Sequence, residues 1–344
     1  MRALDLRVHA VANYIETMGP KLVAETSTWF RGKPPSIHFR LIDDEKKFGA
    51  QSMHVGGDGY RVNVYIGSPR LLELFFNEAL SNPYAFPDIG DPSLETARGQ
   101  LMERIHWHWD DFLQEPYGAL ELRAPKCPKR ATMAEEYISA ALCVLLLHEI
   151  VHVLNGHVAL AAEILRGESK PLTEEERIAL EWDADCCAVT RILSHLDRKV
   201  AGTTDPVEYF YGLFAEASYA MNLIKPEPEG VPSTFYAGSH GRQHAFLASL
   251  ATHRNERALQ RDDEAWRTKV IERLNQGPAT IEVAKAVLVG GDPRARVQDF
   301  KTFIEQKGMA EYVARARGWN AIRPRLQPLA YVTLAPEHAD IITE

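Results

Sequence analysis

Apolar positions are densest between Thr132 and Gly167, where ALCVLLLHEIVHVLNGHVALAAEIL is hydrophobic almost all the way round a helix. Such a pattern belongs to a helix buried in a core rather than to one with a solvent face. Thr132 and Glu135 form a T-x-x-E capping box that can open it, and Gly167 can stop it. Upstream the period changes to two. SIHFRLIDD places Ile37, Phe39 and Leu41 on one face, and YRVNVYIG does the same for Val62, Val64 and Ile66. Gly56-Gly57-Asp58-Gly59 between AQSMHV and YRVNVYI is a hairpin turn.

Helical spacing covers most of the rest. Residues 1–35 read as one or two amphipathic helices ending in the linker RGKPP, and Pro69 opens a helix through LLELFFNEAL. A further helical segment contains His106, Trp107, His108 and Trp109, whose two histidines, two apart, point to different sides. A second capping box, Thr173 with Glu176, starts the helix EEERIALEWDADCCAVTRILSHL. Helical patterns return from Arg242 to about Gly318, and the tail after Trp319, with Pro324, Pro328 and Pro336, reads as irregular or extended. The expected fold is α+β and mainly helical, with a small antiparallel sheet packed on the buried long helix. Three regions follow: 1–131, with the N-terminal helix, hairpin sheet and helical insertion; 132–255, helical and catalytic; and 256–344, helical with an irregular tail.

The chemistry sits inside the long helix. His148-Glu149-Ile150-Val151-His152 is H-E-x-x-H, and histidines four apart on a helix project from one face, where they can bind one zinc ion. Glu149, one position round, can reach a water on that metal. Two histidines and a glutamate buried in a core cost free energy unless they are hydrogen-bonded or bind metal. A catalytic zinc takes three protein ligands and keeps a fourth position open. The pattern H-E-x-x-H-x-x-G-x-x-H does not supply the third, because Gly156 and His157 are each one residue off register. On a continuous helix His157 would also lie about 140° round from His152. Glu181 is the better candidate, since Glu181, Ala184, Asp185, Ala188 and Ile192 share a face that carries two carboxylates among apolar residues. Asp185 would then accept the free N–H of a ligand histidine.

Composition narrows the partners. A net charge of -8 over 344 residues argues against a general nucleic-acid binder. Cys127, Cys143, Cys186 and Cys187 show no C-x-x-C spacing, which suits reduced thiols in a cytoplasmic protein. No secretory pattern opens the chain, and the charge-free apolar run Tyr137 to Leu147 is too short to span a bilayer, so no stable membrane insertion is expected.

HEIVHVLNGH together with EWDAD resembles the gluzincin metallopeptidases (H-E-x-x-H followed by E-x-x-A-D), most of all their CAAX-protease-like branch, over roughly Tyr60 to Leu193 and again over Ser239 to Leu250. The phage-exclusion type of cytosolic metallopeptidase is similar in the same motif. The CAAX-protease-like branch commonly carries a histidine at the place of His157. The resemblance implies Zn²⁺ on His148, His152 and Glu181, Glu149 as base, and Asp185 behind a ligand. His240 and Arg242, in SHGRQH, resemble the S-H-P-x-x-x-R element of that branch and are candidate oxyanion donors, or else surface residues at a helix start. The chain departs from the branch in the roughly fifty residues separating its hairpin-and-helix unit from the motif helix, and in lacking the transmembrane helices of the best-known members.

The reading is a zinc metalloendopeptidase that hydrolyses an intracellular protein bound as an extended strand, with YRVNVYI as the receiving edge. A zinc hydrolase of non-peptide amides is the neighbouring alternative. From another class, a helical scaffold or regulatory binding protein would keep the motif as a structural or inactive site.

Overall fold

The computed structural model describes residues 3–26, 29–44, 48–97, 123–200 and 304–338, with short helical stretches between 213 and 302. Helix α1 (Ala3–Glu25) precedes β1 (Ser36–Ile42), β2 (Ala50–Gly56) and β3 (Gly59–Tyr65). Helices α2 (Gly67–Leu80), α3 (Pro128–Leu154), α4 (His157–Leu165), α5 (Glu174–Val200) and α6 (Met309–Leu326) follow among the described residues. The described residues are mainly helical with one small sheet, as the periodicities imply.

The sheet order is β1-β3-β2. The Gly56–Gly59 turn makes the expected hairpin, with β2 antiparallel to β3 and Gly56 and Gly57 at φ +107° and +55°. β1, however, runs parallel to β3, pairing Ile37 with Tyr60, Phe39 with Val62 and Leu41 with Val64. The sheet is therefore mixed, not antiparallel, and YRVNVYI is its central strand rather than an edge. The reason is burial: Tyr60, Val62 and Val64 are the most deeply buried strand residues, and a strand paired on both sides leaves none of its backbone groups unpaired in that setting. Among the described residues the largest hydrophobic cluster joins Ile15 and Leu22 of α1, Val62 and Val64 of β3, α2, most of α3, Ala184 and Ala188 of α5, and Val332 of the C-terminal segment.

α3 begins earlier than its capping-box reading suggests. Pro128 takes the first turn, where its missing N–H costs nothing, and Cys127 is the N-cap. The chain is anchored just ahead of the first turn, where Glu95 Oε1 accepts the N–H groups of Lys126 and Cys127, each at 2.9 Å. Thr132 and Glu135 thus lie inside the helix. Two residues after Pro128, Arg130 is fully buried and donates to five carbonyls, those of Leu80, Asn82, Ala85, Phe86 and Ile89, at 2.6 to 2.9 Å. This guanidinium closes the end of α2 and the loop after it onto the start of α3.

α3 contacts β2, β3, α2 and α5. It is also long and apolar enough to cross a membrane, yet 83% of its most apolar window is buried inside the protein, which marks it as a core helix. The second capping box forms as expected: Thr173 N–H donates to Glu176 Oε2 at 2.8 Å and Glu176 N–H to Thr173 Oγ1 at 3.2 Å. α6 continues through Pro324 to Leu326, past the point where the tail was expected to become irregular. The chain beyond it lies along the end of α3, where Tyr331 N–H donates to Leu154 C=O at 2.8 Å.

Candidate metal centre

His148 and His152 stand one turn apart near the end of α3, and both are largely buried. α3 does not continue to Gly167 as one helix. Asn155 ends it, and Gly156, at φ +84°, turns the chain so that α4 begins at His157. A side chain at Gly156 would be strained at that φ, and its Cβ would fall 3.0 Å from Leu329 Cβ and 3.1 Å from Ala330 N. α5 then brings two polar stripes against this junction. One carries Glu181 and Asp185, four residues apart, and the other Asp183, Cys187 and Arg191 at the same spacing.

The two stripes serve different partners. Glu181 reaches both histidines: its Oε2 lies 3.3 Å from His148 Nε2 and its Oε1 3.6 Å from His152 Nε2. The two imidazole Nε2 atoms are 3.0 Å apart. A tetrahedral ion with bonds of roughly 2.0–2.1 Å keeps its ligand atoms about 3.3–3.4 Å from one another; the two Nε2 atoms and the nearest Glu181 oxygen to each, Oε2 for His148 and Oε1 for His152, lie within a few tenths of an ångström of that spacing. The donor set can hold a metal ion, and it is the triad expected from the sequence. Glu181 Oε2 is buried and accepts no hydrogen bond of good geometry, so an acceptor at the centre of the cluster is left for a cation.

Each histidine is backed on its other nitrogen. His148 Nδ1 lies 2.8 Å from Asp185 Oδ1, the residue expected behind a ligand histidine. His152 Nδ1 faces His157 Nδ1 at 2.9 Å, and His157 Nε2 lies 3.2 Å from Asp183 Oδ2. Neither histidine nitrogen is aimed squarely at its carboxylate, so these are close polar approaches rather than linear hydrogen bonds. Asp183 also accepts from Asn155 Nδ2 at 2.6 Å and from the Cys187 thiol at 3.4 Å. Arg191 Nη2 donates to Asn155 Oδ1 at 3.4 Å, and its guanidinium sits 5.1 Å from the Trp29 ring centroid.

The electrostatics favour positive charge. Burial, the largest influence on His148, lowers its pKa, but Asp185 and Glu181 together outweigh it and push the imidazole up to about 10. Burial likewise works against the charge on Glu181, yet the two histidines hold its carboxyl well below the usual range. His157 moves the other way, below the ordinary imidazole value, because burial prevails over Asp183. A metal-free site therefore traps a proton where a metal would sit.

His157 is where the sequence expectation fails. The break at Gly156 removes the 140° offset of a continuous helix and sets its ring against His152, although it stands outside the ligand triad. The turn dipeptide Asn155-Gly156 is the signal that could have found it. Asp183, Cys187 and Arg191 were also missed; their spacing of four marks a polar stripe adjoining the one chosen. Glu149 is buried beside His148 on α3. His240 and Arg242, like the segment from His106 to Trp109, lie outside the described residues. No protein-family model, curated protein or solved structure matched this chain on comparison.

Proposed function

We propose that the protein is a zinc-dependent endopeptidase, with His148, His152 and Glu181 as metal ligands and Glu149 as the general base. The observation that carries this reading is the convergence of three donors: the Nε2 atoms of the H-E-x-x-H histidines are 3.0 Å apart, and the Glu181 carboxylate meets them with Oε2 3.3 Å from His148 and Oε1 3.6 Å from His152. Two imidazoles and one carboxylate are a donor set suited to zinc, and three protein ligands leave a position free. When bound, zinc supplies a Lewis acid that acidifies water and polarises a carbonyl. Glu149 takes the proton of the attacking water and delivers it to the leaving amine. Asp185 and His157 hold the ligand imidazoles in place. His240 and Arg242 are the proposed donors to the oxyanion.

The substrate is proposed to be an intracellular protein, in keeping with four cysteines that are all free thiols. An extended peptide pairs with a sheet edge, and with β3 central the edges are β1 and β2. β2 touches both α3 and α4, which favours it as the receiving strand. The test is cleavage of a fluorescence-quenched peptide library by the zinc-loaded protein and by Glu149→Gln. The variant should retain zinc and lose about 10²–10⁴-fold in rate. A zinc-loaded wild type that cleaves nothing, or a Glu149→Gln variant as active as wild type, would refute the assignment.

A further inference from the structure

The two ligand histidines are supported differently, and the difference fixes protons. His148 has a carboxylate directly behind it, Asp185 at 2.8 Å. Behind His152 there is an imidazole, and the carboxylate comes one residue later. At 2.9 Å the two facing Nδ1 atoms of His152 and His157 cannot both carry protons, nor can both present lone pairs. If His152 uses its Nε2 lone pair for metal, its proton must sit on Nδ1. His157 Nδ1 is then the acceptor, and the proton of His157 must sit on Nε2, facing Asp183 Oδ2 at 3.2 Å. Asp183 can only accept there, because Asn155 Nδ2 and the Cys187 thiol already donate to its two oxygens. One arrangement of protons is consistent along the chain: Nδ1–H of His152 donates to Nδ1 of His157, and Nε2–H of His157 faces Asp183 Oδ2 at 3.2 Å as a close approach rather than a linear bond.

We infer that His157 and Asp183 are positioning residues for His152, holding it in the Nδ1–H tautomer with its Nε2 lone pair aimed at the metal. The inference rests on the metal-centre reading proposed above. Both residues are buried at 4% exposure, so water does not replace either of them, and the αL turn at Gly156 is what brings His157 into the relay. The negative charge of Asp183 reaches His152 only through the His157 ring, which makes the ring a spacer that a carboxylate directly behind His152 would not need. The partners that orient a metal-bound histidine and raise its basicity commonly change metal affinity about 10–100-fold when removed.

The test begins with the intact protein, labelled with ¹⁵N at histidine and loaded with zinc. Long-range ¹H–¹⁵N correlation reads the tautomer of each ring directly, a property that a merely structural role would leave unspecified. The expected spectrum has an unprotonated Nδ1 and a protonated Nε2 on His157. A parallel chelator competition should show zinc held about 10–100-fold more weakly by His157→Phe, and a smaller loss for His157→Asn, whose Oδ1 can accept near the Nδ1 position. If His157→Phe does not fold, the wild-type tautomer decides. The opposite tautomer at His157, or His157→Phe binding zinc as tightly as wild type, overturns this inference alone. A wild type that takes up no zinc overturns the metal-centre reading and this inference with it.

Discussion

Gly156 offers a sharp test of how the site is built, because a second glycine provides its control. Gly156 and Gly167 bracket α4, and both adopt left-handed backbone, at φ +84° and +75°. Replacing either with alanine imposes the left-handed penalty of about 1–2 kcal/mol on a residue with a Cβ. The two sites differ in surroundings. A Cβ at Gly167 meets nothing within 4 Å, whereas one at Gly156 meets the Leu329 carbonyl carbon and Cβ at 3.0 Å and Ala330 N at 3.1 Å. Two of those three atoms are backbone, in a segment tied down by the Tyr331 to Leu154 hydrogen bond, so the crowding adds an overpacking cost of about 1–3 kcal/mol. Gly167→Ala should therefore cost about 1–2 kcal/mol and Gly156→Ala about 2–5 kcal/mol. The entropy lost from the unfolded chain favours alanine equally at both positions and cancels in the comparison. Urea unfolding of the two variants and wild type measures the difference. Chelator competition should add a second contrast, with zinc affinity reduced in Gly156→Ala, where His157 is displaced, and unchanged in Gly167→Ala. Equal stability losses in the two variants would refute the claim that the Leu329–Ala330 segment is packed against the helix break.

Three further outcomes are expected. Arg130→Met should destabilise the protein by more than about 4 kcal/mol in urea unfolding, because five carbonyls, four of them in buried bonds, lose their donor at about 1–3 kcal/mol for each buried one that finds no other partner; a loss under about 1 kcal/mol would show that the loop after α2 is held by something else. Zinc uptake should release close to one proton at pH 7, since without metal His148 stays protonated up to about pH 10; calorimetry in two buffers of different ionisation enthalpy reads this, and zinc affinity that does not rise with pH between about 6 and 9 would contradict it. The same raised pKa means that the contribution of His148 to metal-free stability is full below pH 6.5 and fades as pH rises toward 10, so chelated protein should lose stability over that alkaline range.

Much of this site is legible in sequence because helices impose a local rule. His148 with His152, and Glu181 with Asp185, are each four apart, and that spacing alone puts each pair on one face. The pairing of those faces follows once both helices are buried. The parallel register of β1 on β3 is not local: Phe39 meets Val62 across a hairpin and a linker, and no alternation pattern records which neighbour a strand will take. The start of α3 escaped for the same reason, since the backbone at its N-cap, Cys127, is held by Glu95, more than thirty residues away in sequence. The misplacement of His157 has a different origin. Nearly continuous hydrophobicity from Ala141 to Leu165 reads as one helix, and the weak local signal of Asn155-Gly156 is outvoted by it. What decides the break is tertiary, the C-terminal segment lying against a residue that has no side chain.

The central claim, that these residues form a metal centre, is tested most directly by elemental analysis of the purified protein after zinc reconstitution and desalting, comparing wild type with Glu181→Ala. About one zinc per chain in wild type and strongly reduced zinc in a folded Glu181→Ala variant is the predicted result. Wild-type protein that is folded by circular dichroism and retains no zinc would contradict it, and would leave a helical protein in which His148, His152 and Glu181 merely share a buried proton.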